Sequence, residues 1–95
     1  MKKNHKICVV GAGRWGLNHI KTLDALGYLG GVVDENRTVT DKVLLDYPEC
    51  LIFSSLKSSF MADFDGYVVA TPARAHFEIS KKIIENGKPL LVEKP

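Results

Sequence analysis

Three glycines and one aspartate carry the spacing in this 95-residue chain that implies chemistry. Gly11, Gly13 and Gly16 stand as Gly-x-Gly-x-x-Gly. They follow the run Lys6-Ile7-Cys8-Val9-Val10 directly and precede a helical pattern. Asp34 closes a second apolar run, eighteen residues past Gly16. Strand, glycine loop, helix and distant acid in this order form a dinucleotide-binding fingerprint. Gly11 permits the tight turn from strand to helix. Gly13 leaves room for backbone to approach a pyrophosphate. Gly16 lets the helix pack close to the strand. Ala12, Arg14 and Trp15 complete the loop, and the helix beginning there offers free N–H groups and a positive dipole end to phosphates. Asp34 is placed to accept hydrogen bonds from an adenosine ribose. Its carboxylate repels a 2′-phosphate, which favours NAD. Arg37, three residues on, offsets that charge and keeps NADP in play.

The elements that must position these residues alternate along the chain. Strands are expected at Ile7–Val10, Leu29–Val33, Leu51–Phe53, Tyr67–Ala70 and Leu90–Val92. Helices are expected from Arg14 to about Leu26, over Thr38–Tyr47 and over Ala73–Asn86. Their inward residues are read as Leu17, Ile20, Leu23 and Leu26, then Val39, Val43 and Leu44, then Phe77, Ile83 and Ile84. Leu56–Phe64 carries no clear period, and a short helix burying Phe60 and Met61 is one reading. Gly30 and Gly31 inside the second strand imply a close neighbour, for which the glycine loop is a candidate. Thr71 before Pro72 reads as a helix N-cap with proline at the first helical position. The β-α-β-α-β order implies an α/β fold of Rossmann type. Its doubly wound parallel sheet has about five strands in the order 3-2-1-4-5.

Length confines the chain to one domain over residues 1–95. It is 45% hydrophobic and 25% charged, with a net charge of +2. That charge argues for neither nucleic acid nor membrane as a partner. No run approaches transmembrane length. Cys8 and Cys50 have the spacing of neither a metal site nor a redox pair, so no metal is expected and a reduced cytoplasmic compartment is the simplest reading. The fifth strand is apolar on both faces with nothing after Pro95 to cover it. This favours a piece of a longer protein, truncated before a last strand and a substrate domain, over a chain covered by a partner.

Gly11-Ala12-Gly13-Arg14-Trp15-Gly16-Leu17-Asn18, then Ala70-Thr71-Pro72 with His76, then Glu93-Lys94-Pro95 together resemble the glucose–fructose oxidoreductase, inositol dehydrogenase and rhizopine-catabolism (Gfo/Idh/MocA) family. The resemblance covers essentially the whole chain and corresponds to that family's N-terminal cofactor domain. It implies hydride transfer between NAD, or NADP, and a carbinol carbon of a sugar, polyol or nucleotide sugar. Ala70, Thr71 and Pro72 would lie along the ribose and nicotinamide side. His76 is either near the cofactor or an ordinary packed side chain. Glu93 would lie beside the nicotinamide ribose. Lys94 would face the reacting carbon as the catalytic residue, aimed by a cis bond before Pro95. The family's acid/base histidine and its substrate domain come from sequence beyond Pro95, so these residues alone are expected to bind cofactor without turnover. The intact protein is expected to be a homo-oligomer acting on a small sugar-type molecule. Two other readings stay open. One is a stand-alone dinucleotide sensor working through a partner chain. The other is a methyltransferase using S-adenosylmethionine, against which the third glycine and Glu93-Lys94-Pro95 argue.

Overall fold

The alternating apolar runs and amphipathic stretches fold into a five-stranded parallel sheet in the order β3-β2-β1-β4-β5. The structure, a computed structural model, describes residues 5–93. In chain order the elements are β1 (Ile7–Val10), α1 (Arg14–Leu26), β2 (Leu29–Val33), α2 (Arg37–Asp46), β3 (Leu51–Phe53), α3 (Leu56–Ser59), a 3₁₀ turn (Phe60–Ala62), β4 (Gly66–Val69), α4 (Ala73–Glu85) and β5 (Leu90–Val92). The predicted fold and strand order are those observed.

Strand side chains alternate between the two faces of the sheet. Val9, Val32 and Val68 pack with Ile20 of α1, Val43 of α2 and Cys50. Cys8, Val10, Val33, Tyr67 and Val69 pack on the other face with Phe64 and with Ile83 of α4. Ile20 and Ile83 are fully buried, and each such burial contributes about 1.5–3 kcal/mol. The segment without a clear period is a single α turn followed by the 3₁₀ turn. It exists to deliver rings: Phe60 and Phe64 both stand edge-on to Tyr67, with centroids 5.8 and 6.0 Å away. Met61 is exposed, contrary to expectation. The neighbours that require glycine here are the Phe64 ring at Gly30 and Gly31 and the Lys6 Cβ at Gly30, not the glycine loop. A Cβ on Gly31 would lie 2.5 Å from Phe64 Cζ.

Several inward assignments need correction. Leu17, Leu26, Leu44, Phe77 and Ile84 are exposed. On α1 a three-residue step falls about 60° short of a full turn, so the stripe drifts away from the sheet. The face that packs is Gly16, Ile20 and Leu23. On α4 Ile79 and Ile83, four apart, pack on the core, with the part-buried His76 on the same side. Helix α2 begins at Arg37, one residue earlier than expected, with the Asn36 side chain accepting from Val39 N at 3.2 Å. Strand β5 is an edge strand, where Leu90 packs on the core while Leu91 and Val92 are exposed.

Candidate functional site

The glycine loop leaves β1 between two strands that hold it on both sides. Gly11 N donates to Val33 O of β2 at 2.7 Å, and Ala70 N after β4 donates to Val10 O at 2.8 Å. This is the switch point of the sheet, where connections depart to opposite faces and open sheets bind ligands. Gly11 has φ +95°, and a Cβ there would press on Ala70 and Thr71. Gly16 is required by contact alone, since a Cβ would sit 1.8 Å from Gly11 O. Gly13 differs from both: it is exposed, and a Cβ on it would meet nothing within 4 Å. The space beside Gly13 is therefore open.

Gly13 is the N-cap of α1, with no side chain capping it and no acidic residue in the first turn. The N–H groups of that turn lack acceptors within the helix, and the dipole adds partial positive charge. Arg14 and Trp15 flank this end and are exposed, whereas Ala12 is buried in the core. Ala12 contributes its backbone: Ala12 N donates to Asp34 Oδ2 at 2.8 Å. Asn36 N donates to Asp34 Oδ1, also at 2.8 Å. The carboxylate thus braces the glycine loop. A carboxylate has about four acceptor positions, so about two stay free for a ligand's donors.

Across the loop, Pro72 and not Thr71 is the N-cap of α4, with ψ 147°, and no side chain caps the helix. Proline lacks an N–H and its ring forces extended backbone before it, which leaves Thr71 one position outside the helix. Thr71 Oγ1 is buried and has no hydrogen-bond partner. A buried hydroxyl without a partner costs about 1–3 kcal/mol until something bonds to it. His76 bonds within the protein: its Nε2–H donates to Thr71 O at 2.5 Å, closing the loop onto α4.

Gly11, Gly13, Asp34, Ala70, Thr71 and Pro72 line one cleft of about 610 Å³, joined by Glu35, Ser54 and Ser55. Those last three were not singled out by sequence. Arg37 faces an adjoining depression that shares Asp34, Glu35 and Ser54 with the cleft. Neither His76 nor Glu93 lines the cleft. Glu93, just past β5, is bonded to a residue that sequence reasoning missed. His19 Nε2–H on α1 donates to Glu93 Oε1 at 2.5 Å. The expectations for Lys94 and for a cis bond before Pro95 fall outside the described residues.

The open backbone at Gly13, the bare N-terminus of α1, the free acceptors of Asp34 and the orphaned Thr71 hydroxyl fit a dinucleotide. Nothing here fits thiol chemistry. Burial pushes the Cys8 thiol far up, and burial beside the Asp24 carboxylate pushes Cys50 up to about 11. Neither is a nucleophile at neutral pH. Among the described residues, no group of three or more His, Cys, Asp or Glu could hold a metal. Among the described residues, no helix is long and apolar enough to cross a membrane either.

Residues 5–95 match the Gfo/Idh/MocA oxidoreductase family, NAD-binding Rossmann fold. Over its whole length the chain is 30% identical to inositol 2-dehydrogenase 1 of Paenarthrobacter aurescens, covering 29% of that protein. Among solved structures it superposes on GenD2 from gentamicin A biosynthesis, in complex with NAD, with a TM-score of 0.89 and 31% identity. That likeness covers 100% of this chain and 28% of GenD2. It likewise superposes on UDP-N-acetylglucosamine 3-dehydrogenase GnnA of Acidithiobacillus ferrooxidans with a TM-score of 0.86 and 29% identity, over 99% of this chain and 30% of the other. The chain thus spans under a third of the length of these relatives.

Proposed function

The chain belongs to the Gfo/Idh/MocA oxidoreductase family and forms its NAD-binding Rossmann fold, and from that premise we propose that it is the cofactor-binding part of a dehydrogenase acting on a sugar, polyol or nucleotide-sugar carbinol. The observation that carries this is the cleft itself, where Gly13, Asp34 and Thr71 present open backbone, carboxylate and unpartnered hydroxyl together. The relatives supply the substrate class: one is an inositol dehydrogenase and another a UDP-sugar dehydrogenase.

The bound nicotinamide supplies the hydride acceptor or donor. The protein's part is to bind, orient and polarise. The first turn of α1 faces its N–H groups to the pyrophosphate. Asp34 accepts from the adenosine ribose and selects NAD over NADP, with Arg37 limiting that preference. Thr71 donates its hydroxyl to the cofactor, and His76 holds the Thr71 carbonyl so that the loop keeps its shape. Lys94, by its match to the family's Glu-Lys-Pro motif, would hydrogen-bond the oxygen on the reacting carbon and stabilise charge that develops there.

The test is Lys94→Ala in the full-length protein, assayed with inositol and with UDP-N-acetylglucosamine. Turnover should fall about 100-fold or more while NADH affinity stays within about threefold. A wild-type protein that binds NADH but reduces no carbonyl and oxidises no carbinol of this class would point instead to a non-catalytic dinucleotide sensor.

A further inference from the structure

Helix α1 does more than present its N-terminus to phosphates. Its second turn carries His19, whose Nε2–H donates to Glu93 Oε1 across 74 positions of sequence. Both side chains are part-buried, at 24% and 28% exposure. Glu93 is also held through its backbone, Glu93 N donating to Val69 O at the end of β4 at 2.9 Å. The residue that precedes Lys94 is therefore fixed to the sheet by its main chain and to α1 by its carboxylate.

The sheet order gives this contact a place in the site. Asp34 follows β2 on one side of β1. Glu93 follows β5, on the other side beyond β4. A dinucleotide spans the crevice at the switch point with one mononucleotide on each half of the sheet. With adenosine on the Asp34 side, the nicotinamide nucleotide falls to the half where Glu93 stands.

We propose that His19 is a positioning residue that holds the Glu93 carboxylate for the nicotinamide half of the site, tying the phosphate-binding helix to the strand end that carries Lys94. This rests on the dinucleotide-binding reading above. A glutamate free to rotate loses that freedom when it engages a ligand, and anchoring beforehand removes the loss from the binding step. A hydrogen bond to a charged group is strong enough for its removal to be visible in affinity.

The experiment compares NADH with ADP, which lacks the nicotinamide nucleotide, on the full-length protein. The variants are His19→Ala, His19→Gln, Glu93→Gln and the His19→Ala/Glu93→Gln double. His19→Ala and Glu93→Gln should each weaken NADH about tenfold. The double variant should lose no more than either single, and ADP affinity should stay within about twofold throughout. His19→Gln keeps an N–H donor and should recover part of the loss. Parallel weakening of ADP would show general damage to α1 and overturn the proposal, as would unchanged NADH affinity or additive losses. A wild-type protein that binds neither ligand overturns the functional reading and this inference with it. A wild-type protein that binds both, with any of the overturning patterns, removes only the role of His19.

Discussion

Asp34 Oδ2 accepts a hydrogen bond of 2.8 Å from the backbone N–H of Ala12, so the acidic residue after β2 braces the glycine loop after β1. Substituting Asp34 therefore has two effects. Asp34→Ser should weaken NAD binding and shift preference towards NADP, because the repelling charge is gone. It should also destabilise the fold by about 1.5–3 kcal/mol, since the part-buried Ala12 amide and the exposed Asn36 amide both lose a charged acceptor. Calorimetric titration with both cofactors, beside thermal unfolding without them, separates the two effects. Unchanged preference would remove Asp34 from the ribose role.

Gly13 and Gly16 should answer alanine in opposite ways. Gly16→Ala places a Cβ where Gly11 O stands, and the helix must shift at a cost of about 3 kcal/mol. Gly13→Ala meets nothing and should change stability by about 1 kcal/mol or less, the poorer N-cap being offset by the lower entropy of the unfolded chain. Its methyl group instead enters the space left for the pyrophosphate. NAD affinity should fall steeply for a variant whose unfolding is nearly that of wild type. Denaturant unfolding and cofactor titration of both variants read this directly.

Thr71→Val removes a hydroxyl that has no partner in the free protein. Unliganded stability should be unchanged or should rise by about 1 kcal/mol. NADH affinity should fall about tenfold, the loss expected for the hydrogen bond to cofactor proposed for this hydroxyl. A valine variant that unfolds more readily without cofactor would mean the hydroxyl already serves the fold.

Alkaline pH should weaken the fold. Burial raises Cys50 from 9.0 to about 11 and raises Tyr67, whose shift the Ser59 hydrogen bond partly opposes. A group whose pKa is raised by folding holds its proton more tightly in the native state. Its contribution is intact below the unfolded value and is lost as pH climbs through the folded one. Stability measured by denaturant should thus decline between pH 9 and about 11. Cys50→Ala should show a shallower decline over that range.

The sheet order, the glycine loop and Asp34 were legible because each rests on local spacing. Gly11, Gly16 and Asp34 are bound to their roles by turn geometry and strand length, which sequence records. Phe77 and Ile84 were misplaced because apolar identity does not fix a helix face. Each lies at least about 100° around α4 from Ile83, and His76 and Ile79 hold the face instead. Thr71 was misread because a threonine before a proline fits an N-cap by type, while the proline ring itself took that position. His19 gave one unread signal, its place three residues past Gly16 on the same side of α1. Its partner lies 74 positions away, and no local pattern reports that pairing.

The most direct measurement is calorimetric titration of NAD and NADP into the full-length protein and its Gly13→Ala variant. We predict saturable one-site binding with NAD the tighter ligand, and loss of that binding in the variant without loss of folding. Absence of saturable binding to the wild-type protein, or undiminished binding to Gly13→Ala, would contradict the assignment of this cleft as a dinucleotide site.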